Sequence, residues 1–158
     1  MDRPTLFEFA GGEEAWLRFA AAHHKLCLED PLLNHAFSHP GHPQHVERLA
    51  LYWMEVFGGP PVFSESLGHH SMVLGLHAGT GAGDDFGERF SACFMQAAED
   101  AGLPDDEEFR SSLRAYINWA VGEVMLYAPA GSTVPDGLGV PRWSWSGLQH
   151  EPGSPGPA

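Results

Sequence analysis

Trp16, Phe19, Ala20, His23 and Cys27 recur at helical spacing between Glu13 and Leu28, with Leu17, Ala21, His24 and Leu28 as the adjacent stripe. A stripe with a period near 3.6 residues buries one side of an α-helix. No stretch of the chain sustains the two-residue alternation of a half-buried strand, so the sequence is held to an all-α fold. Pro31 pushes Asp30 out of helical geometry and ends this first long helix. "PLLNHAF" reads as a short helical connection ending at Phe37. The next helix starts near Pro43, where a missing N–H is harmless, buries Val46, Leu49, Ala50, Trp53, Val56 and Phe57, and stops at "GGPP". "VFSESLG" reads as a loop leading to a short helix over about 70–78, which "GTGAG" is too glycine-rich to continue. Asp84 or Asp85 caps a long helix with Phe86, Phe90, Cys93, Phe94 and Ala97 on its inner face. "AGLPDD" ends that helix and caps the last one, in which Phe109, Leu113, Tyr116, Ile117, Ala120 and Val124 repeat through Tyr127.

These elements make residues 1–128 one helical domain, followed by a Pro/Gly-rich tail over 129–158. In "VPRWSWSGL" the tail carries Trp143 and Trp145, which are expected to dock on the domain, with disorder after Gln149. With 8 basic against 21 acidic residues, a formal charge of −13, there is no basic cluster for phosphates. Nucleic acid and anionic membranes are thereby excluded as partners. The acidic residues of "MDRPTLFEFAGGEEAW" rule out a signal peptide, and no apolar run approaches the ~20 residues that span a bilayer. The chain therefore reads as soluble and cytoplasmic. Cys27 and Cys93 each sit inside a helical pattern among apolar neighbours, so no disulfide framework is expected and they read as two buried thiols.

The ten histidines carry the chemistry. His42, His45 and Leu49 share one side of their helix. His70, Val73, Leu74 and His77 share another, and the loop after His77 lets its imidazole project from the last turn. His23 and His24 sit mid-helix among apolar residues, where an unpaired ring would cost roughly 1–3 kcal/mol. Several imidazoles at core-type positions point to a metal or a metal cofactor, although each taken singly reads better as a hydrogen-bonded core or surface histidine. Zinc lacks its spacings, since neither C-x-x-C nor H-E-x-x-H occurs. "FSESLGHHS" lacks the strand-to-helix elbow of a serine hydrolase, and "GTGAGDD" follows no strand, so it is not a phosphate loop.

In order, "FEFAGGEEAWLRFAAAHHKLCLEDPLLNHAF", "HPQHVERLALYWMEVFGGPPVFSE", "GHHSMVLGLHAG" and "ERFSACFMQAAEDAGLPDDEEFRSSLRAYINWA" resemble the truncated haemoglobins of the second group in their actinobacterial form, from about Leu6 to Tyr127. The resemblance implies a globin-like two-over-two helical sandwich around haem b, with His77 as the proximal iron ligand. It places Phe37 against the haem, His45 and Leu49 at two distal positions, His24 facing the bound ligand, and Phe90 in the pocket lining. Trp53, Val73 and Leu74 become candidate pocket walls. Two departures stand out. The family usually has a tyrosine where His24 stands and a tryptophan where Phe90 stands, so His24 and His45 would supply the hydrogen bonds to ligand. Gly75 occupies the position of the usual basic partner of a haem propionate.

The implied function is binding of O2, CO or NO, extending to peroxide or nitric oxide detoxification, with a reductase as partner where the iron turns over. Coordination of the iron by His24 or His45 is a further alternative, giving a closed resting state. A second class of reading is a globin-like scaffold with weakened haem binding that serves as an interaction module. The third is non-haem metal binding by His35, His39 and His42.

Overall fold

In the computed structural model, residues 3–31, 33, 45–66, 84–127 and 140–150 are described. They form helices α1 (Leu6–Ala10), α2 (Glu13–Glu29), α3 (His45–Val56), α4 (Val62–Ser66), α5 (Asp84–Asp100) and α6 (Glu107–Met125), followed by strands β1 (Arg142–Ser144) and β2 (Gly147–His150). The connection ending at Phe37, the short helix expected over 70–78, and the segments 128–139 and 151–158 lie outside the described residues.

Local chemistry sets the ends of these helices. Asp106 caps α6, its carboxylate accepting the Phe109 N–H at 2.9 Å, which satisfies one of the donors a helix start leaves open. Thr5 and Glu8 form a reciprocal capping box that starts α1, a helix the periodicity did not predict. The Phe7 N–H then donates to the Phe57 carbonyl at 2.9 Å, pinning α1 to the end of α3.

Helix α2 packs against both α3 and α5, and α5 packs on α6. Their stripes meet in an aromatic core. Trp16 stacks on Phe57 at 4.7 Å, Phe19 meets Phe94 edge-on at 4.8 Å, and Phe57 meets Tyr116 edge-on at 4.9 Å. Each fully buried phenylalanine contributes roughly 1.5–3 kcal/mol, with about 0.5–1.5 kcal/mol more from each well-placed ring pair. Trp53 donates its indole N–H to the Tyr116 hydroxyl, which is also hydrogen-bonded to Tyr52, so the polar tips of the core satisfy one another.

Two expectations are corrected. "VFSESLG" does not run as a loop throughout, because Val62–Ser66 is helical. Pro61 lies just before its first turn, its carbonyl accepts the Glu65 N–H, and the buried carboxylate of Glu55 accepts the Ser64 N–H at 2.8 Å. The expectation of no strand also fails in the tail. β1 and β2 pair antiparallel, Trp143 opposite Leu148 and Ser144 opposite Gly147, with an irregularity between Arg142 and Trp143. Strands of three and four residues are too short for alternation to be visible in sequence.

The hairpin lies on the helices. Trp143 packs on Tyr116 at 5.6 Å and on Trp119 at 5.8 Å. Trp145 donates its indole N–H to the Pro4 carbonyl at 2.8 Å and meets Phe9 edge-on at 5.0 Å. The Arg3 guanidinium covers the other side of the Trp145 ring, 3.4 Å from its centroid, and forms a forked pair with Glu108. Among the described residues, no helix is long and apolar enough to cross a membrane.

Candidate functional site

His24, His45, Leu49, Trp53 and Phe90 are the predicted site residues within the described structure, while Phe37, Val73, Leu74 and His77 lie outside it. His45 opens α3, four residues before Leu49, which is in turn four before Trp53. That spacing sets all three positions along one face of the helix. Leu49 is half-buried and Trp53 is buried.

Trp53 and Phe90 are brought together by a residue on the buried stripe of α2 that was not among the predicted site residues. The fully buried imidazole of His23 meets Phe90 edge-on at 4.7 Å, Trp53 edge-on at 5.2 Å and Phe94 at 6.1 Å. His23 is thus the junction of α2, α3 and α5. Its neighbour His24, about 100° further round the helix, is half-buried, with Nδ1 shielded from solvent. The signal for His23 was its place on the Trp16, Phe19, Cys27 stripe, but nothing in one dimension marked it as the contact between Trp53 and Phe90.

Trp53, His23 and Phe90 form a packed aromatic junction with Phe90 only partly covered, and the partly covered Leu49 lies one turn before Trp53 on α3. Such a surface suits a flat, apolar group carrying a polar centre better than it suits a hydrated ion. Among the described residues, no three histidine, cysteine, aspartate or glutamate side chains come together to hold a metal. An open hollow of about 520 Å3 has Pro31, Asp85, Glu88 and Arg89 as its described lining. That described lining is mostly charged.

The cysteines need correction. Cys27 is buried as expected, but Cys93 is only half-buried, and the two thiols are near enough across α2 and α5 for each to act on the other's ionisation. Burial, followed by the proximity of Cys93, pushes the Cys27 thiol well above its usual range. Burial and then Asp30 also raise the Cys93 thiol, while Arg89 opposes the rise.

The sequence profile of the bacterial-like globin family matches residues 5–120. No curated protein matches the chain. Among solved structures, the haemoglobin of the thermophilic phototroph Chloroflexus aurantiacus is 28% identical, with 77% of this chain and 98% of that one covered and a TM-score of 0.66. A thermostable haemoglobin of the actinobacterium Thermobifida fusca is 26% identical over 84% of this chain and 100% of its own, with a TM-score of 0.64. The group II truncated haemoglobin of Bacillus anthracis is 20% identical, covering 78% and 92%, with a TM-score of 0.68. At that identity the last is a likeness of fold alone.

Proposed function

This chain belongs to the bacterial-like globin family, and from that premise we propose that it is a haem protein of the second, actinobacterial truncated group that binds a diatomic gas at an iron held by His77. Its helices adopt the globin fold of the truncated haemoglobins. The observation that carries the proposal is the agreement between the family match, which runs from the cap of α1 into α6, and the partly uncovered apolar side chains of Leu49 and Phe90. Those residues fit a porphyrin face.

Haem b, when bound, supplies a redox-active iron with one position open to a small ligand. The chain contributes the surroundings. His77 is the proposed protein ligand to the metal, with Phe37, Val73 and Leu74 proposed as further walls. Phe90, Trp53 and Leu49 would line the group and exclude water from it. His24 and His45 are the proposed donors, each presenting an imidazole N–H where a bound gas carries partial negative charge; preorganised donors of that kind act more strongly where water is excluded. At Phe90 the wall carries no hydrogen-bond donor, which leaves polar recognition of the gas to the two imidazoles. Detoxification of peroxide or nitric oxide would draw on the same imidazoles as proton shuttles.

The test is reconstitution of the full chain with hemin. The expected result is a stoichiometric Soret band that shifts on adding CO to the reduced protein and is largely lost in His77→Ala, whose helical circular dichroism is retained. A wild type with no Soret band overturns the proposal and leaves the interaction-module reading. A band unchanged in His77→Ala overturns the ligand assignment.

A further inference from the structure

We propose that Cys27 and Cys93 are a redox modification site, a dithiol that closes to an interhelical disulfide between α2 and α5. Three observations converge on it. The two thiols are neighbours across α2 and α5, close enough for each to act on the other's ionisation, although they lie 66 positions apart in sequence. Contacts on both sides fix the helices at that point: toward the N-terminus of α2, His23 rests on Phe90, and just past its end Asp30 binds Arg89 at 2.9 Å. The Cys27 sulfur is also held from behind, with the ring nitrogens of His23 at 3.7 and 3.8 Å. Closing the bond requires the two sulfurs to approach across this packed interface into the narrow geometry that disulfides accept.

The difference in exposure assigns the roles. Cys93 is half-buried and reaches solvent, while Cys27 is sealed in the core. With hydrogen peroxide as oxidant, the Cys93 thiolate attacks one peroxide oxygen. An S–O bond forms, the O–O bond breaks, and the leaving hydroxide takes up the thiol proton as water. The Cys27 sulfur then attacks the sulfenic sulfur. The S–S bond forms, the S–O bond breaks, and the second oxygen leaves as water with the Cys27 proton. In total two thiols are oxidised by two electrons while one peroxide is reduced to two waters. A dithiol reductant reverses the bond by exchange. Because burial holds both thiols protonated, attack is slow. The pair is accordingly a poised cross-link and not a rapid scavenger.

The closed bond would enclose α3, α4 and the segment with His77 in one covalent loop, and loops of that length gain substantially from closure. The experiment treats the full chain, without haem, with a small excess of hydrogen peroxide, followed by mass spectrometry and a non-reducing digest. Expected is a monomer lighter by two hydrogens, with one cross-linked peptide pair joining Cys27 to Cys93. Its melting temperature should rise by roughly 5–10 °C, and dithiothreitol should restore both thiols and the lower melting point. In Cys27→Ala the sulfenic acid on Cys93 should persist long enough for a sulfenic-specific probe to trap it. Disulfide-linked dimers through Cys93, over-oxidation of Cys93 with Cys27 still free, or two thiols unchanged would each overturn the proposal. None of these outcomes depends on haem, so they stand apart from the test of the proposed function.

Discussion

Gly58 shows how much a single position can require. It ends α3 at φ +96°, and a Cβ placed there would lie 2.8 Å from the Cβ of Thr5 and 2.9 Å from its Cγ2. Gly102, after α5, has φ +73° with nothing within 4 Å of an added Cβ. Gly58→Ala should therefore cost the backbone penalty of about 1–3 kcal/mol together with displacement of Thr5, the residue that caps α1. Gly102→Ala should cost only the backbone part. Urea unfolding checks this, with a lower midpoint for Gly58→Ala than for Gly102→Ala at an unchanged m-value; equal midpoints would refute the contact. That "GGPP" stops a helix was legible in the sequence, because glycine and proline act locally. That Gly58 must admit Thr5, or that Cys27 must meet Cys93, was not, since both are contacts made only once the helices have packed. His23 and His24 differ in the same way. They are adjacent and chemically identical, and only the packing of α3 and α5 decides which one is sealed in the core.

Among the elements, α2, α3, α5 and α6 were readable because each is long enough for its apolar stripe to repeat several times. The short ones were not: α1 and α4 have five residues each, too few for a period, and depend on a capping box and on the buried carboxylate of Glu55. The hairpin depends on contacts more than 100 residues distant in sequence, Trp145 to Pro4 above all. From the candidate site, the positions of Leu49 and Trp53 along one face of α3 were legible, but the meeting of Trp53 with Phe90 through His23 was not. The hairpin lies beyond the matched family segment, and it acts as a clasp between the start of the chain and α6. Trp145→Ala removes an indole hydrogen bond, an edge-on contact with Phe9 and the ring under Arg3. For a half-buried tryptophan the expected loss is roughly 1–3 kcal/mol. Trp145→Phe, which keeps a ring but no N–H, should lose about 1 kcal/mol. Native-state hydrogen exchange gives the decisive reading: α1 amides should exchange faster in Trp145→Ala while those of α5 keep their protection relative to global unfolding. Unchanged α1 protection would mean that the clasp does not hold that helix.

At the scale of the whole molecule, stability is joined to the ionisation of the core. Tyr52 and Tyr116 lie fully buried where α3 and α6 meet, hydrogen-bonded to each other, and burial is the main reason both hydroxyls are held above the ordinary tyrosine range. In the unfolded chain both would titrate near pH 10. The folded state therefore keeps two protons that the unfolded state releases above that pH, so the contribution is complete below about pH 10 and declines as pH rises further. With both groups counted, the slope approaches about 2.7 kcal/mol per pH unit, so a domain at the low end of ordinary stability, about 5 kcal/mol, would be exhausted near pH ~12. Two of the three tyrosines should then ionise in one step with the loss of helical circular dichroism. Tyr52→Phe removes one of the two coupled protons, and its alkaline transition should be less steep than that of the wild type. A gradual rise of tyrosinate absorbance from all three residues, with the helices intact, would show that the aromatic core admits water and does not seal the hydroxyls.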